Sequence, residues 1–598
     1  MITRMKKITA LVSEKEREKF IVSLRRAGVF HPEEIKGPVA HEVRFVADKA
    51  EKLARMIDEL APYASGAEST DPKAAEKEML ECADIVNTLV REKQEYKENI
   101  RDMQNRIRWF DPWGAFDPDD IISLRGIGVS IRLYRASRSD FRKAKEVKTP
   151  HCKMSRDKNY VYLVSVSRHA EEKLPFEEIT LPAYGPLQLQ EKIRVLEEKI
   201  KITDKTLASN ASVLASARRC KKRLDVERDF LRVKFGMKEE GKFAYIRGFC
   251  PEKMVKKITA MAGRHGLGYL VEDPDNPEET PTLITNPKWI SIINPVFRFM
   301  KTLPGYNEFD ISFWFLIFFS IFFAMLISDA GYGLLFLVVT FVISRVERNL
   351  PREPFFLMYV LSVGTIMWGA ATGTWFGSER IAQLPFFSMF IIEKLDSFRS
   401  VSRNVVIYIC FLIGAVHLSV AHLMRAIRII NSVRMLAQIG WILILWGMFF
   451  TAGTFVIDRP FPAFAGWLFL PGILMVLFFA NPEKGIFKGA LSSMAQLPLS
   501  IISSFGDIVS YLRLFAVGYA SVVVASSFNE MALSEGLHGV WSTLIAAAIL
   551  FLGHMLNITL GFLAIIVHGV RLNMLEFSSH MSMEWSGVPY KPFAGNGK

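Results

Sequence analysis

Hydrophobic and polar residues are distributed unevenly along this chain of 598 residues. The first half is rich in charged side chains, whereas long apolar runs dominate the second half. A helix needs about twenty apolar residues to cross the hydrocarbon core of a bilayer. The pattern therefore predicts a cytosolic α+β domain at 1–300 and an α-helical membrane domain at 301–598.

Four short segments of the first half alternate between polar residues and β-branched or aromatic residues, which is typical of strands. These segments are residues 6–13, 127–134, 159–167 and 243–249. Because turn formers bound each segment and helical stretches separate them, we expect them to be the strands of small α/β lobes.

Two longer segments, at about 45–110 and 187–235, carry apolar residues at alternating spacings of three and four. This spacing is the a/d pattern of a coiled coil. We expect a long antiparallel coiled-coil hairpin, a stiff arm roughly 60–70 Å in length at about 1.5 Å rise per residue. A coil that joins two copies of the chain is the alternative interpretation.

Apolar runs of spanning length follow in the second half, near 355–377, 404–424, 436–456, 463–480, 498–528 and 540–572. The run at 311–343 is different, because as one helix it would be roughly 50 Å long against a hydrocarbon core of about 30 Å. Asp329 and two glycines lie in its middle, where a charge is costly and a turn is favoured. We therefore expect two spans joined by a tight turn there, and eight transmembrane helices in all.

The positions of basic residues support this number of spans. The formal net charge is +13, and lysine and arginine concentrate on cytoplasmic loops of membrane proteins. With eight spans and a cytosolic first half, the cytosolic loops receive Arg345, Arg348, Arg352, Arg425, Arg428, Arg434, Lys484 and Lys488. The arm and the C-terminus are then both expected in the cytoplasm.

Several functions are excluded by composition. The five cysteines form no CxxC pair, so neither a disulfide framework nor a zinc site is indicated. No basic patch interleaved with aromatic residues indicates nucleic-acid binding. Residues 236–242 have the spacing of a phosphate-binding loop, but Phe243 stands where a hydroxyl must meet magnesium. We expect no metal, no cofactor and no nucleotide bound by this chain.

Polar residues within the predicted spans are the candidates for function, because a charge there costs a few kcal/mol. Arg513 lies deep in the penultimate span, with Asp507 and Ser510 one to two turns before it. In the last span, polar residues recur at helical spacing on one face. They are His554, Asn557, His568 and Arg571, with Glu576 just beyond.

Two interpretations of these residues compete. In the first, Arg513, Asp507 and the polar face of the last span form internal salt bridges and hydrogen bonds that fix helix packing. In the second, two tilted helices line water-filled half-channels that an arginine separates, and intramembrane acids and histidines relay protons.

Four segments resemble the hallmark sequences of the vacuolar/archaeal-type rotary ATPase a subunit, also called subunit I. They are FFAMLISDAGYGLL at 322–335, GTIMWGAATGTWFG at 364–377, FGDIVSYLRLFAVGYA at 505–520 and HGVRLNMLEF at 568–577. Residues 277–287 and 304–310 are similar to the junction between that subunit's soluble and membrane parts. The resemblance extends over nearly the whole chain.

The resemblance implies the static half of an ion-translocating motor. A ring of proteolipid c/K subunits, each with an ion-binding carboxylate, would turn against this chain. Arg513 matches the family's essential arginine, which would attract the ring carboxylate. Arg571 and Glu576 match the second arginine and the acid that follows it, and with His568 they would shape the cytosolic half-channel. Asp507, Ser510, His554 and Asn557 are expected to line the half-channels, and Asp329 is a further intramembrane acid.

The family also implies partners and a location. The arm would hold peripheral stalks of E/G-type subunits and meet a central-stalk d/C-type subunit, and the second half would contact membrane lipid in the plasma membrane of a prokaryote. The chain by itself is not expected to be an enzyme. The alternatives are a secondary transporter with a cytosolic regulatory arm, for which an internal repeat is expected, and a membrane-anchored scaffold.

Overall fold

The computed structural model describes residues 1–33, 40–64, 75–137, 140–141, 150–168, 174–264, 266–347, 350–399, 401–484, 486–534 and 539–595. Arg348 of the predicted basic loops and residues 65–74 of the first predicted coiled-coil segment lie outside the described residues. Most of the described strands lie in the first half, and long helices make up most of the second half.

The strands are β1 (Met5–Ser13), β2 (His31–Pro32), β3 (Ser130–Ser137), β4 (His151–Arg156), β5 (Tyr160–Ser167), β6 (Glu177–Ile179), β7 (Lys238–Glu240), β8 (Phe243–Pro251), β9 (Gly268–Glu272), β10 (Pro281–Thr282) and β11 (Val588–Pro589). One sheet has the order β2-β8-β1-β9 with β7 also on β8, and a second has the order β4-β5-β3-β6. The predicted strands at 6–13, 159–167 and 243–249 are confirmed as β1, β5 and β8. The strand predicted at 127–134 begins three residues later, as β3.

The helices of the first half are α1 (Arg17–Ala27), α2 (His41–Leu60), α3 (Glu76–Arg108), α4 (Pro118–Gly126), α5 (Pro186–Asn210), α6 (Leu214–Gly236), α7 (Val255–Arg264), α8 (Lys288–Ser291) and α9 (Asn294–Met300). The alternation of β1 turns one face toward α1, so that Ile8, Ala10 and Val12 are buried with Phe20 and Leu24. This packing forms the core of the first lobe.

The helices of the arm lie side by side, α3 along α5 and α2 along α6. Arg223 lies 3.6 Å from Glu76, and Lys93 binds Asp204 at 2.5 Å. Since partner numbers fall on one side as they rise on the other, the two sides are antiparallel. Leu53, Val86, Leu207 and Leu214 are among the residues buried between them. Supercoiling of these helices remains a prediction.

The helices of the second half are α10 (Ser312–Ile327), α11 (Ala330–Val346), α12 (Arg352–Ala371), α13 (Glu379–Ala382), α14 (Pro385–Ser388), α15 (Ser402–Arg428), α16 (Arg434–Ile457), α17 (Ala463–Phe479), α18 (Ile486–Ser510), α19 (Leu512–Leu533), α20 (Val540–Ala564) and α21 (Ser578–Met581). Between α20 and α21, Ile565–Gly569 and Leu572–Phe577 are π-helical. α10 lies at the centre against α12, α19 and α20, with Phe315, Phe319 and Phe322 buried.

Among the described residues, five helical segments are long and apolar enough to cross a membrane, the last two being Phe487–Leu533 and Val540–Met581. α10 and α11 meet the same standard as a pair bent by 119°, and α17 is apolar but shorter. At about 1.5 Å per residue the 47 residues of Phe487–Leu533 extend roughly 70 Å, more than twice the hydrocarbon thickness. The number of eight spans stays a prediction.

Candidate functional site

Arg513 lies at a joint in the long penultimate helix, where Tyr511 separates α18 from α19. The Leu514 amide donates to the Tyr511 carbonyl at 3.0 Å, three residues back, so the regular spacing of four is interrupted. Arg513 Nε donates to the Ser510 carbonyl at 3.0 Å. A side chain inserted into the helical ladder in this way is a known cause of a bend. The joint therefore positions the guanidinium.

The Arg513 guanidinium binds a carboxylate of its own chain. Its Nη2 donates to Glu576 Oε1 at 2.6 Å, and the Ser510 hydroxyl donates to the same oxygen at 2.9 Å. Arg571 Nε lies 3.6 Å from that oxygen. The Glu576 side chain is 5% exposed, and its second oxygen, Oε2, is buried without a hydrogen-bond partner among the described residues. The guanidiniums of Arg513 and Arg571 thus both lie within salt-bridge distance of the single carboxylate of Glu576.

The π-helical turns explain how Arg571 and Glu576 come together. Five residues along an α-helix are turned by about 140° from each other, since each residue advances about 100°. The wider π-helical turn at Leu572–Phe577 brings both side chains to one face. Insertions of this kind are frequent at functional sites. The sequence analysis assumed α-helical spacing and placed Glu576 beyond the polar face rather than against Arg513.

A second set of contacts lies beside this cluster. His580 Nε2 is 3.1 Å from Asp507 Oδ2, and His580 Nδ1 is 2.9 Å from His422 Nε2. His422 Nδ1 in turn lies 2.8 Å from Gln438 Oε1. This row of groups joins α18, α21, α15 and α16. The sequence analysis found Asp507 but missed both histidines. His580 lies four residues after Glu576 and so on the same side of the continuous helical segment Val540–Met581, which we call the last helix.

Two other predicted residues of the last span, His554 and Asn557, contact α11. The His554 Nδ1 is 2.7 Å from the Tyr332 hydroxyl. Asn557 Nδ2 donates to that hydroxyl at 3.1 Å and to the Ser521 carbonyl at 2.9 Å. His568 has a buried Nδ1 without a partner among the described residues. These contacts hold α20 against α11 and α19.

Asp329 has a structural role. Its Oδ1 accepts from the amides of Gly331, Tyr332 and Phe376 at 2.8, 3.2 and 2.9 Å, and its Oδ2 accepts from Gly377 at 2.8 Å. The carboxylate therefore caps α11 and fixes the turn after α10 to the segment that follows α12. Within the described residues, no group of three or more His, Cys, Asp or Glu residues is arranged to hold a metal ion.

Comparison with known proteins gives relatives of full length. V-type ATP synthase subunit I of Borreliella burgdorferi is 29% identical over 99% of both chains. V-type ATP synthase subunit I 1 of Treponema pallidum is 28% identical over 99% of this chain and 100% of its own. The chain is a homologue of ATP synthase subunit I. The resemblance drawn from the four sequence segments is thereby confirmed.

Subunit I homologues from archaea are more distant. A-type ATP synthase subunit I of Methanocaldococcus jannaschii is 24% identical, over 59% of this chain and 55% of its own. No protein-family model matches the chain. A crystal structure of the cytoplasmic N-terminal domain of subunit I, a homologue of V-ATPase subunit a, aligns with 44% of this chain and 99% of its own at 13% identity. Its TM-score of 0.23 is too low to be evidence about the arrangement of the arm.

Proposed function

We propose that this subunit I homologue is the static ion-translocating subunit of a rotary V/A-type ATPase. One observation carries the proposal: the cluster in the long apolar helices has two guanidiniums, from Arg513 and Arg571, and one carboxylate, from Glu576. Uncompensated charge inside a span is costly, and such residues usually mark ion pathways. The carboxylate of a proteolipid c/K ring subunit is the partner that would balance it.

The exposure of the cluster supports a protein partner. Of an apolar 18-residue stretch within Val540–Met581, only 22% is buried within the chain, the lowest share among the described candidate spans. The Arg571 side chain on the last helix is 54% exposed, and that of Arg513 is 23% exposed. Lipid tails offer no acceptor to a guanidinium, so a second protein with acidic groups is the better occupant of this face.

In the proposed mechanism, Arg513 attracts the ionised ring carboxylate, makes it release its ion and keeps the two half-channels apart. Asp507, Ser510 and His568 would line the cytosolic half-channel next to Glu576. His554 and Asn557 lie nearer the α10–α11 turn and would border the outer half-channel. Ions would enter through one half-channel, ride on the ring through lipid, and leave through the other.

The rest of the chain has a supporting role in this proposal. Eight spans would be formed by α10, α11, α12, α15, α16, α17, the α18–α19 helix and the last helix, in the plasma membrane of a prokaryote. The arm and the C-terminus would then lie in the cytoplasm. The antiparallel arm would hold the E/G-type peripheral stalks against torque and contact the d/C-type central-stalk subunit.

The test is Arg513→Ala in the intact complex, reconstituted in vesicles. We expect ATP-driven ion transport to fall to the level of vesicles without enzyme while the complex remains assembled, because no group then discharges the ring carboxylate. The control is Arg459→Ala, because Arg459 lies outside the proposed site, in the connection between α16 and α17. Its guanidinium carbon is 3.9 Å from the centre of the Tyr408 ring. Normal transport by Arg513→Ala would instead support the scaffold interpretation, and transport without the ring would support a secondary transporter.

A further inference from the structure

An apolar groove lies between α10 and α12, toward the C-terminal ends of both helices. Its volume is about 700 Å³, with Ile321 and Met325 on one side and Val363 and Met367 on the other. Val363 and Met367 are exposed, so the groove opens sideways. At Gly364 the helices leave space between them, because a Cβ atom added there would lie 3.8 Å from its nearest neighbour. In the proposed membrane, this groove would face acyl chains.

The length of the groove corresponds to one leaflet. On α12 the lining extends from Tyr359 to Ala371, which is about 18 Å at about 1.5 Å rise per residue. One leaflet contributes half of a hydrocarbon core of about 30 Å, thus about 15 Å. Since α10 and α12 end at the outer surface in the proposed topology, the groove has the depth of the outer leaflet and can take an acyl chain along its length.

A second, polar cavity of about 150 Å³ continues the groove at its outer end. Met325 and Trp368 line both cavities, so the two are adjacent. Arg399, Arg403 and Tyr519 also line the second cavity. Tryptophan and tyrosine are enriched at the level of lipid headgroups, where arginine can reach phosphates. An apolar groove thus ends at a cationic cavity at headgroup level.

The charges of the polar cavity fit one phosphate group. Arg399 Nε lies 3.3 Å from Asp396 Oδ2, and Arg403 Nη2 donates to the Tyr519 hydroxyl at 3.0 Å. A guanidinium has five N–H donors in a fork that matches phosphate oxygens, so both arginines have further donors to offer. Two arginines and one aspartate leave one positive charge, which the single negative charge of a phosphodiester balances.

We propose that this chain binds one anionic phospholipid of the outer leaflet, with an acyl chain in the groove and the phosphate on Arg399 and Arg403. A phosphoglycerol headgroup fits best, because the ammonium of a zwitterionic headgroup would bring a further positive charge to the two guanidiniums. The site is separate from the proposed outer half-channel, since His554 and Asn557 lie on α20, whereas α10, α12, α15, α19 and the segment before α15 line the two cavities.

The bound lipid would have a mechanical role beside the proposed ion path. Arg403 lies on α15, and its partner Tyr519 lies on α19, the helix that also carries Arg513. A phosphate on Arg403 would therefore connect the headgroup layer to this helix. Lipid binding itself is independent of ion transport, so it can be measured without the motor.

The experiment titrates the full chain in detergent with dioleoylphosphatidylglycerol and follows the lipid-bound fraction by native mass spectrometry. We expect half-saturation at a concentration at least about tenfold lower than with dioleoylphosphatidylethanolamine, since one charge-assisted hydrogen bond changes binding by about that factor or more. The double variant Arg399→Gln/Arg403→Gln should lose this preference. The control Arg380→Gln, at an exposed arginine of α13, should keep it. Equal binding of both lipids by the unmodified chain, or an unchanged preference in the double variant, would overturn the proposal.

A matched pair of variants tests the groove. Gly364→Leu places a side chain in the groove and should weaken binding of phosphatidylglycerol at least about fivefold, because methylenes of the acyl chain lose their apolar contacts. Gly466→Leu is the control, since Gly466 is exposed on α17 and a Cβ atom added there would lie 3.9 Å from its nearest neighbour. Binding by Gly364→Leu as tight as that of the unmodified chain would show that no acyl chain occupies the groove.

Thermal unfolding provides a measurement that does not require quantitative mass spectrometry. A ligand that binds only the folded state raises the unfolding midpoint. Phosphatidylglycerol should therefore raise the midpoint of the unmodified chain and of Arg380→Gln, but not that of Arg399→Gln/Arg403→Gln. Inorganic phosphate alone should leave the midpoint unchanged, because it cannot fill the groove. A rise with phosphate equal to the rise with phosphatidylglycerol would assign the cavity to a free anion and overturn the proposal.

Discussion

At the scale of single residues, Asp329 shows that an acid within an apolar segment need not face an ion path. Its two carboxylate oxygens accept four backbone amides from α11 and from the segment after α12. Such bonds to a charged group contribute more than neutral hydrogen bonds. The turn between α10 and α11, and its attachment to residues 376–377, therefore depend on this side chain.

Replacing Asp329 by alanine should destabilise the membrane half. Four buried amides would lose their acceptor, and each costs about 1–3 kcal/mol when it is left unpaired. We expect a clear drop in the midpoint of thermal unfolding of the detergent-solubilised chain. Glu379→Ala is the control, because Glu379 is an exposed acid in the first turn of α13. Equal midpoints for the two variants would contradict the capping role.

The cysteines differ in reactivity for a physical reason. Burial raises the pKa of the Cys250 thiol to about 12, and the thiolate is the form that reacts. Cys152 is exposed on β4. At pH 8 a maleimide should label Cys152 within minutes and leave Cys250 unmodified until the protein is denatured. Rapid labelling of native Cys250, followed by peptide mass spectrometry, would show that β8 is not packed as described.

At the scale of elements, close approach of backbones joins α12 to the α10–α11 turn. A Cβ atom added at Gly369 would lie 2.1 Å from the Ala330 amide nitrogen, far inside contact distance. At Gly364, one and a half turns earlier on α12, the nearest atom would be 3.8 Å away. A side chain therefore fits at Gly364 but not at Gly369, although both glycines lie in one helix.

This difference gives a matched pair of variants. Gly369→Ala should cost at least about 1–3 kcal/mol, because the overpacked backbone must shift. Gly364→Ala should be neutral or stabilise by up to about 1 kcal/mol, since alanine favours the helix. Thermal unfolding of both variants in detergent measures the contrast. A stable Gly369→Ala protein would mean that the two elements are farther apart than described.

At the scale of the whole molecule, the C-terminal segment connects the two halves. After the last helix, β11 pairs in parallel with β10. The Phe593 amide then donates to the Phe30 carbonyl at 2.7 Å, and the Phe593 ring is buried in the core of the first lobe. Residues that the predicted boundary at 300 assigns to the membrane half thus pack on the soluble half. In the proposed motor, this connection would carry force from the first lobe to the last helix.

Removing the buried ring should loosen this connection. Phe593→Ala is expected to cost about 3–5 kcal/mol of packing in the first lobe, and the proposed motor should then hydrolyse ATP with less ion transport per ATP. Coupling ratios in vesicles measure this loss, with the exposed Phe299→Ala as control. Full coupling in the Phe593 variant would show that the segment transmits no force.

The sequence by itself determined the division into a charged and an apolar half, three of the four predicted strands, and the position of Arg513 within an apolar segment. These features depend on local composition and on period, which are visible along the chain. It also determined the turn at Asp329, because a charge in the middle of a long apolar segment is costly and two glycines favour a turn there.

Only the tertiary structure decided which distant residues contact each other. Glu576 contacts Arg513 because π-helical turns rotate the side chains of the last helix relative to α-helical spacing. A pattern of polar residues at spacings of three and four does not predict such a turn. His422 on α15 contacts His580 on the last helix. Phe593, near the other end of the chain, packs in the core of the first lobe. Contacts between distant segments depend on how helices pack, and that is a property of the assembled fold rather than of any local stretch.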